Sequence, residues 1–218
     1  MSDTAIFQII GFIVAITVHE AAHALSAYKC GDTTAYDEGR VSLNPINHID
    51  PFGTVILPVM LLITNSPFMF GWAKPVPVDL RNLKDPKTDE YWISLAGPLS
   101  NFALALIFGV CVRTLIGYGD SMVKSGFLSI ETAVIGLKLF ASMISVNLVL
   151  GIFNLIPIPP LDGFNIVKSM LPDHIYENLY IPPGVGFLMF IMLMGTGVTG
   201  SIISTFYAPL YNFLIGRY

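Results

Sequence analysis

Ala5-Ile6-Phe7-Gln8-Ile9-Ile10-Gly11-Phe12-Ile13-Val14-Ala15-Ile16-Thr17-Val18-His19-Glu20-Ala21-Ala22-His23 is almost wholly apolar up to Ile16, and then sets two histidines and a glutamate into the same run. The run predicts one helix from about Thr4 to Tyr28, stopped by Gly31-Asp32. On a helix, residues i and i+4 share a face, so the two imidazoles can grip one ion. Glu20 falls on the adjoining surface, within reach of a water on that ion. The alternative is a pair of interfacial histidines beside a snorkelling glutamate. Ionisable residues inside a membrane helix are costly and usually functional, which favours the first reading.

The rest of the chain agrees with a membrane setting. Of its 218 residues, 54% are hydrophobic and only 12% charged, and the mean hydropathy is +0.69. A bilayer span needs roughly 20 mostly apolar residues. Ala5 to Ile16, Trp92 to Val112, Ala133 to Ile158 and Ile181 to Ile215 supply candidates. The first is not a signal peptide: Met1-Ser2-Asp3-Thr4 lacks a basic start, and no small-residue cleavage site follows. A net charge of −4 and the lack of a basic aromatic cluster give no sign of nucleic-acid binding. Cys30 and Cys111 make no disulfide framework.

Between the first two spans lies Pro51 to Trp72, broken by Pro58 and by Asn65-Ser66-Pro67. Its continuous apolar core, Val55 to Ile63, is too short to cross, so a re-entrant element is predicted. Such backbone survives at membrane depth only where protein or a water-filled cavity satisfies it. Gly71 to Val78 carries Pro75 and Pro77 and reads as an extended edge strand. Arg81 to Glu90 reads as a polar loop, Trp92 to Val112 as the second span, and Ala133 to about Leu155 as the third. A loop with Gly117, Gly119 and Gly126 joins these two spans. The Gly195 to Gly200 cluster is expected to kink or divide Ile181 to Ile215. A re-entrant Pro51–Trp72 puts Lys29, Arg40, Lys74, Arg81, Lys84, Lys87 and Lys168 on one face. Arg113, Lys124 and Arg217 then take the other, and the positive-inside rule assigns the richer face to the cytosol.

A catalytic zinc takes three protein ligands and leaves one position open. His48 sits in a polar turn and His174 in a loop, and both read as structural or solvated. Asp162 is the stronger third ligand. It follows Asn154-Leu155-Ile156-Pro157-Ile158-Pro159-Pro160-Leu161, where three prolines end an apolar helix and open its backbone to polar partners. Its alternative role is the N-cap of a helix over Gly163 to Leu171.

Taken together, three motifs resemble those of the site-2 protease family of intramembrane metalloproteases, peptidase family M50. His19-Glu20-Ala21-Ala22-His23 matches the first, H-E-x-x-H. Asn154 to Gly163 matches N-x-x-P-x-P-x-L-D-G. Ala96-Gly97-Pro98-Leu99-Ser100-Asn101 resembles A-G-P-x-x-N on the span between them. The likeness covers roughly Ile9 to Met170, and is nearest the small form that begins directly with the zinc helix. No segment suits a PDZ domain or a nucleotide-sensing domain.

The resemblance implies an all-α polytopic membrane protein of one domain, 1–218. Its core runs over about 4–170, with C-terminal helices over about 181–215. It implies one Zn2+ per chain on His19, His23 and Asp162, with Glu20 as general base. It also implies that Asn154 holds substrate or stabilises the oxyanion. The partners implied are a transmembrane protein substrate and the lipid bilayer, and the setting is the plasma membrane of a prokaryote. Gly97 and Asn101 read as packing residues, since small residues let membrane helices approach. Two rivals stand beside the protease: a membrane metal-ion transporter, which wants inverted repeats that are not evident, and a catalytically inactive scaffold of the same fold.

Overall fold

The computed structural model describes residues 3–64 and 71–216. The apolar N-terminal run forms α1, Asp3–Cys30. A one-turn helix, α2, Thr34–Asp37, follows. Pro51–Ile56 is wound as a π-helical stretch and continues into α3, Leu57–Ile63. The long α4, Pro86–Lys124, and α5, Ile130–Asn154, are joined by a tight turn. The short α6, Asp162–Met170, and α7, Asp173–Tyr176, lead to α8, Pro183–Gly195, and α9, Val198–Ile215. Four of these, α1, α4, α5 and α9, are long and apolar enough to cross a membrane.

The core is a packed triangle of α1, α4 and α5, with α9 laid against α4 and α5. Ala105, Val112, Ile144, Leu148, Ile152 and Leu214 are its buried apolar centre. Lipid tails are as apolar as these side chains, so close fit and hydrogen bonds hold the helices together, more than any escape from water. Arg113 on α4 donates to the carbonyls of Leu214 and Phe213, closing the C-terminal end of α9 with a cation where the helix dipole is negative.

The segment after Pro51 turns back on itself. The Trp72 amide donates to Gly53 O at 3.2 Å, and Thr54 Oγ1 donates to Trp72 O at 2.7 Å. Trp72 therefore lies beside Gly53 and Thr54. The Asn65-Ser66-Pro67 break lies outside the described residues, as does Arg217. Ile181 to Ile215 is divided, with the break at Thr196-Gly197.

Three readings of the sequence are corrected. Part of Arg81 to Glu90 is helical, because Asp85 caps α4 by accepting from the Thr88 amide and Pro86 takes the first turn. The same helix continues through Gly117 and Gly119. At 39 residues it is roughly 58 Å long, about twice the hydrocarbon thickness, so hydropathy marked its membrane-depth portion and not its ends. Gly71 to Val78 is not part of a sheet: the described residues contain no strand, and this segment is irregular backbone bonded to side chains and to isolated backbone groups.

Candidate metal centre and cavity

α1 carries His19 and His23 to one face, one turn apart, and both rings are buried. Each ring is fixed at its Nδ1 end. His23 Nδ1 donates to Ile93 O at 2.7 Å. His19 Nδ1 donates to Asn101 Oδ1 at 2.7 Å. The orientation of the Asn101 amide follows from its own bonds, since its Nδ2 donates to Ala15 O at 3.1 Å and to Asn147 Oδ1 at 3.0 Å. Asn147 Nδ2 in turn donates to Met143 O at 2.9 Å. Three membrane helices are thus tied by two fully buried asparagines that end on a histidine.

With both Nδ1 atoms donating, neutral imidazoles turn bare lone pairs outward at Nε2. The two Nε2 atoms stand 3.0 Å apart. Asp162 Oδ2 lies 3.2 Å from His19 Nε2 and 3.3 Å from His23 Nε2. That carboxylate oxygen is buried and has no hydrogen-bond donor. Three electron-rich atoms converging on one point repel one another unless a cation sits among them. His19, His23 and Asp162 are the one group of His, Cys, Asp or Glu among the described residues that could hold a metal ion, with ligand atoms within 4.8 Å of one another. Two nitrogens and one carboxylate oxygen, each ring anchored by an outer acceptor, fit zinc.

Two glycines make room for this arrangement. A Cβ at Gly97 would lie 2.3 Å from His23 Nε2 and 2.6 Å from His19 Cε1. A Cβ at Gly163 would lie 2.3 Å from Leu155 O. The first lets α4 press flat against the two rings. The second lets α6 fold back on the end of α5, so that Asp162, in the first turn of α6, faces α1 and does not cap its own helix.

Glu20 borders the group and accepts from the Val76 amide, with Oε2 at 3.2 Å. Both open into a cavity of about 740 Å³, lined on its apolar side by Trp72, Val76, Phe153, Phe187 and Phe190 among others. Asn154 lines this cavity too, and its Nδ2 donates to Leu150 O at 3.1 Å. His48 stands apart: its ring is buried, with Nε2 2.7 Å from Ser42 O. His174 is exposed on α7. Neither joins the group of three.

The sequence reading missed two kinds of residue. Asn101 reads as a packing residue, and in the structure it orients His19. Asn147 was not singled out, although an amide midway along an apolar span is itself a signal, since polar groups there need a partner. Arg40, which binds the carbonyls of Lys74 and Pro75, gave no local signal at all.

The family model for peptidase family M50 matches residues 7–194. A Bacillus subtilis (strain 168) protein named "Putative zinc metalloprotease YwhC" is 38% identical over 190 residues, which is 87% of this chain and 80% of that one. Rip2 of Mycolicibacterium smegmatis, described in the same words, is 24% identical over 95% of this chain and 73% of its own. No solved structure matches. The match removes the transporter reading. A multi-pass membrane chain that gathers two histidines and an aspartate at its core, and that aligns with these relatives over most of its length, belongs to peptidase family M50 and is a zinc-dependent protease.

Proposed function

We propose that the chain hydrolyses a peptide bond in or beside a transmembrane segment of a membrane-protein substrate, in the plasma membrane of a prokaryote. The observation that carries this reading is the place of the metal group. His19 and His23 lie on α1, a helix able to cross a membrane, and their cavity is walled by α4, α5 and α8. In this reading His19, His23 and Asp162 hold zinc. Zinc supplies Lewis acidity there and makes water a nucleophile near neutral pH. Glu20 takes the proton of the attacking water and returns it to the departing amine. Asn154 rotates its amide from Leu150 O toward the charge that develops on the scissile carbonyl oxygen.

A helical substrate hides its peptide bonds in its own hydrogen bonds, so a stretch must be opened before cutting. Trp72 to Val78 forms one side of the cavity as extended but irregular backbone, and can receive such a stretch.

The test uses protein reconstituted in lipid vesicles. Glu20→Gln should keep its zinc and its fold and lose cleavage, because an amide cannot accept the proton. In cells, membrane proteins that accumulate uncut with that variant are the substrates. Wild-type cleavage by Glu20→Gln overturns the reading.

A further inference from the structure

Arg40 is a buried cation outside the site described above. Its side chain is 2% exposed, and it does not line the cavity. Among the described residues no carboxylate pairs with it, and its Nε is buried without an acceptor. Burying a guanidinium without an anion is unfavourable, so the contribution of Arg40 to stability alone is a poor reason for its presence. Its two terminal nitrogens donate to consecutive carbonyls, those of Lys74 and Pro75, the second at 3.2 Å.

That pairing has a geometric meaning. In a regular strand successive carbonyls point to opposite edges. Here both converge on one planar fork, so the backbone bends at Lys74-Pro75. The Lys74 amide is held from the other side, donating to His48 O at 2.9 Å. The next peptide unit joins Pro75 C=O to Val76 N–H. It is a trans unit, since the one cis bond among the described residues is Pro159-Pro160. A trans peptide is planar, with its C=O and N–H pointing in opposite directions. Its oxygen accepts from Arg40, and its N–H donates to Glu20 Oε2 at 3.2 Å. Fixing one end therefore fixes the other. Pro75 fixes its own φ and Pro77 biases Val76 toward extended backbone, which narrows the ways the unit can swing.

We propose that Arg40 positions the carboxylate of Glu20 through the planar Pro75–Val76 peptide. Arg40 touches neither the metal group nor the cavity, so it is a positioning residue. The inference rests on the reading of Glu20 as general base for its effect on cleavage, and on geometry alone for the contact itself. The polarised chain from guanidinium to carbonyl to amide to carboxylate also strengthens the last hydrogen bond, because each link raises the next. Lysine in place of Arg40 keeps the charge but presents a single point, unable to fork two carbonyls.

Two measurements test this. Amide hydrogen exchange at Val76 reads the contact without any cleavage, and kcat, KM and zinc content are read on a transmembrane peptide substrate in vesicles. Arg40→Gln should expose the Val76 amide about tenfold or more, and lower kcat about 10- to 100-fold, with KM and zinc unchanged. Arg40→Lys should fall between Arg40→Gln and wild type. Val76→Pro, which deletes the amide donor, should lower kcat as Arg40→Gln does, and the double variant should be no worse than either single one. Unchanged exchange at Val76 in Arg40→Gln overturns the proposal, and so do kcat losses that multiply in the double variant. If wild type cleaves nothing while Arg40→Gln still exposes the Val76 amide, the protease reading of the site fails and the positioning contact stands.

Discussion

The cavity has two unlike walls. One is helical, made of α1, α4, α5, α6 and α8, and its backbone satisfies itself. The other runs from Gly71 to Asn82 and is mostly irregular, so its backbone depends on bonds to residues outside it. Arg40 holds Lys74 and Pro75, Thr54 holds Trp72, and Asp50 accepts from the Phe52 and Gly53 amides. Asp32 accepts from the amides of Thr34 and Asp79 and from Asn82 Nδ2. Irregular backbone at membrane depth survives only under such conditions. The helical wall therefore carries polar side chains into the group of His19, His23 and Asp162, and the irregular wall is held by side chains from around it. Glu20 is where they meet, a side chain of the first wall bound by an amide of the second.

The largest effect is expected at the helical wall. Asp162→Ala removes one of three donors and should abolish both zinc retention and cleavage, read as metal content after dialysis. Full zinc occupancy in that variant would mean that another residue supplies the third donor.

The irregular wall should respond in stability with the metal kept. Asp32→Ala removes the acceptor of the Thr34 and Asp79 amides, the Thr34 hydroxyl and the Asn82 side chain, a loss of about 3 kcal/mol. Burial alone would push the Asp32 carboxyl up, but donors from Asn82, Thr34 and the Asp79 amide outweigh it and hold it below the usual carboxylate range. Its stabilisation is thus fully present above the ordinary carboxylate pKa of about 4, and is lost as pH falls through the lower folded value. Thermal unfolding from pH 7 down to pH 3 should show a steeper acid loss in wild type than in Asp32→Ala, and parallel curves would remove Asp32 from that role.

The same contrast explains what the sequence reveals. Spans, the H-E-x-x-H pair and the lone aspartate after three prolines are local patterns: apolar runs, an i, i+4 spacing, a broken helix. The gathering of His19, His23 and Asp162 follows from such patterns, because each sits on or at the end of a helix. The ends of α4 are less legible, since helix length and bilayer thickness are separate quantities. Asp85-Pro86 was nonetheless a usable start signal. The bend at Lys74-Pro75 is not legible locally, because it depends on Arg40, a residue 34 positions away. Alternating prolines are equally compatible with an edge strand and with a bent segment held by a guanidinium.

A smaller effect belongs to the amides behind His19. Asn101→Ala should lower metal affinity about 10- to 100-fold, because His19 loses the acceptor that fixes its ring. Asn147→Ala should cost less, since Asn101 keeps its bond to Ala15 O. Equal losses from both would mean that the whole amide chain acts as one unit, which a double variant would show as non-additivity.

The smallest effect concerns substrate capture by the irregular wall. Between Trp72 and Asp79, the amides of Trp72, Lys74, Val76 and Asp79 already have acceptors, and Pro75 and Pro77 have no N–H. Among the described residues, Ala73 and Val78 therefore hold the two amides left for a substrate backbone, and both line the cavity. Capture by this wall cannot resemble the addition of a full strand to a sheet; it has two anchoring points separated by the bend. Ala73→Pro deletes one of them and breaks no hydrogen bond among the described residues. It should slow cleavage about fivefold, the worth of one ordinary hydrogen bond, with zinc content unchanged. The loss should appear in KM with kcat unchanged if the bond forms on binding and persists through the reaction. A substrate span already weakened by glycine or proline should be cut faster by wild type and should keep the same fivefold loss, because opening the helix and holding it open are separate steps. Unchanged cleavage by Ala73→Pro on both substrates would leave the irregular wall as the support of Glu20 alone, and would move substrate capture to the helical wall.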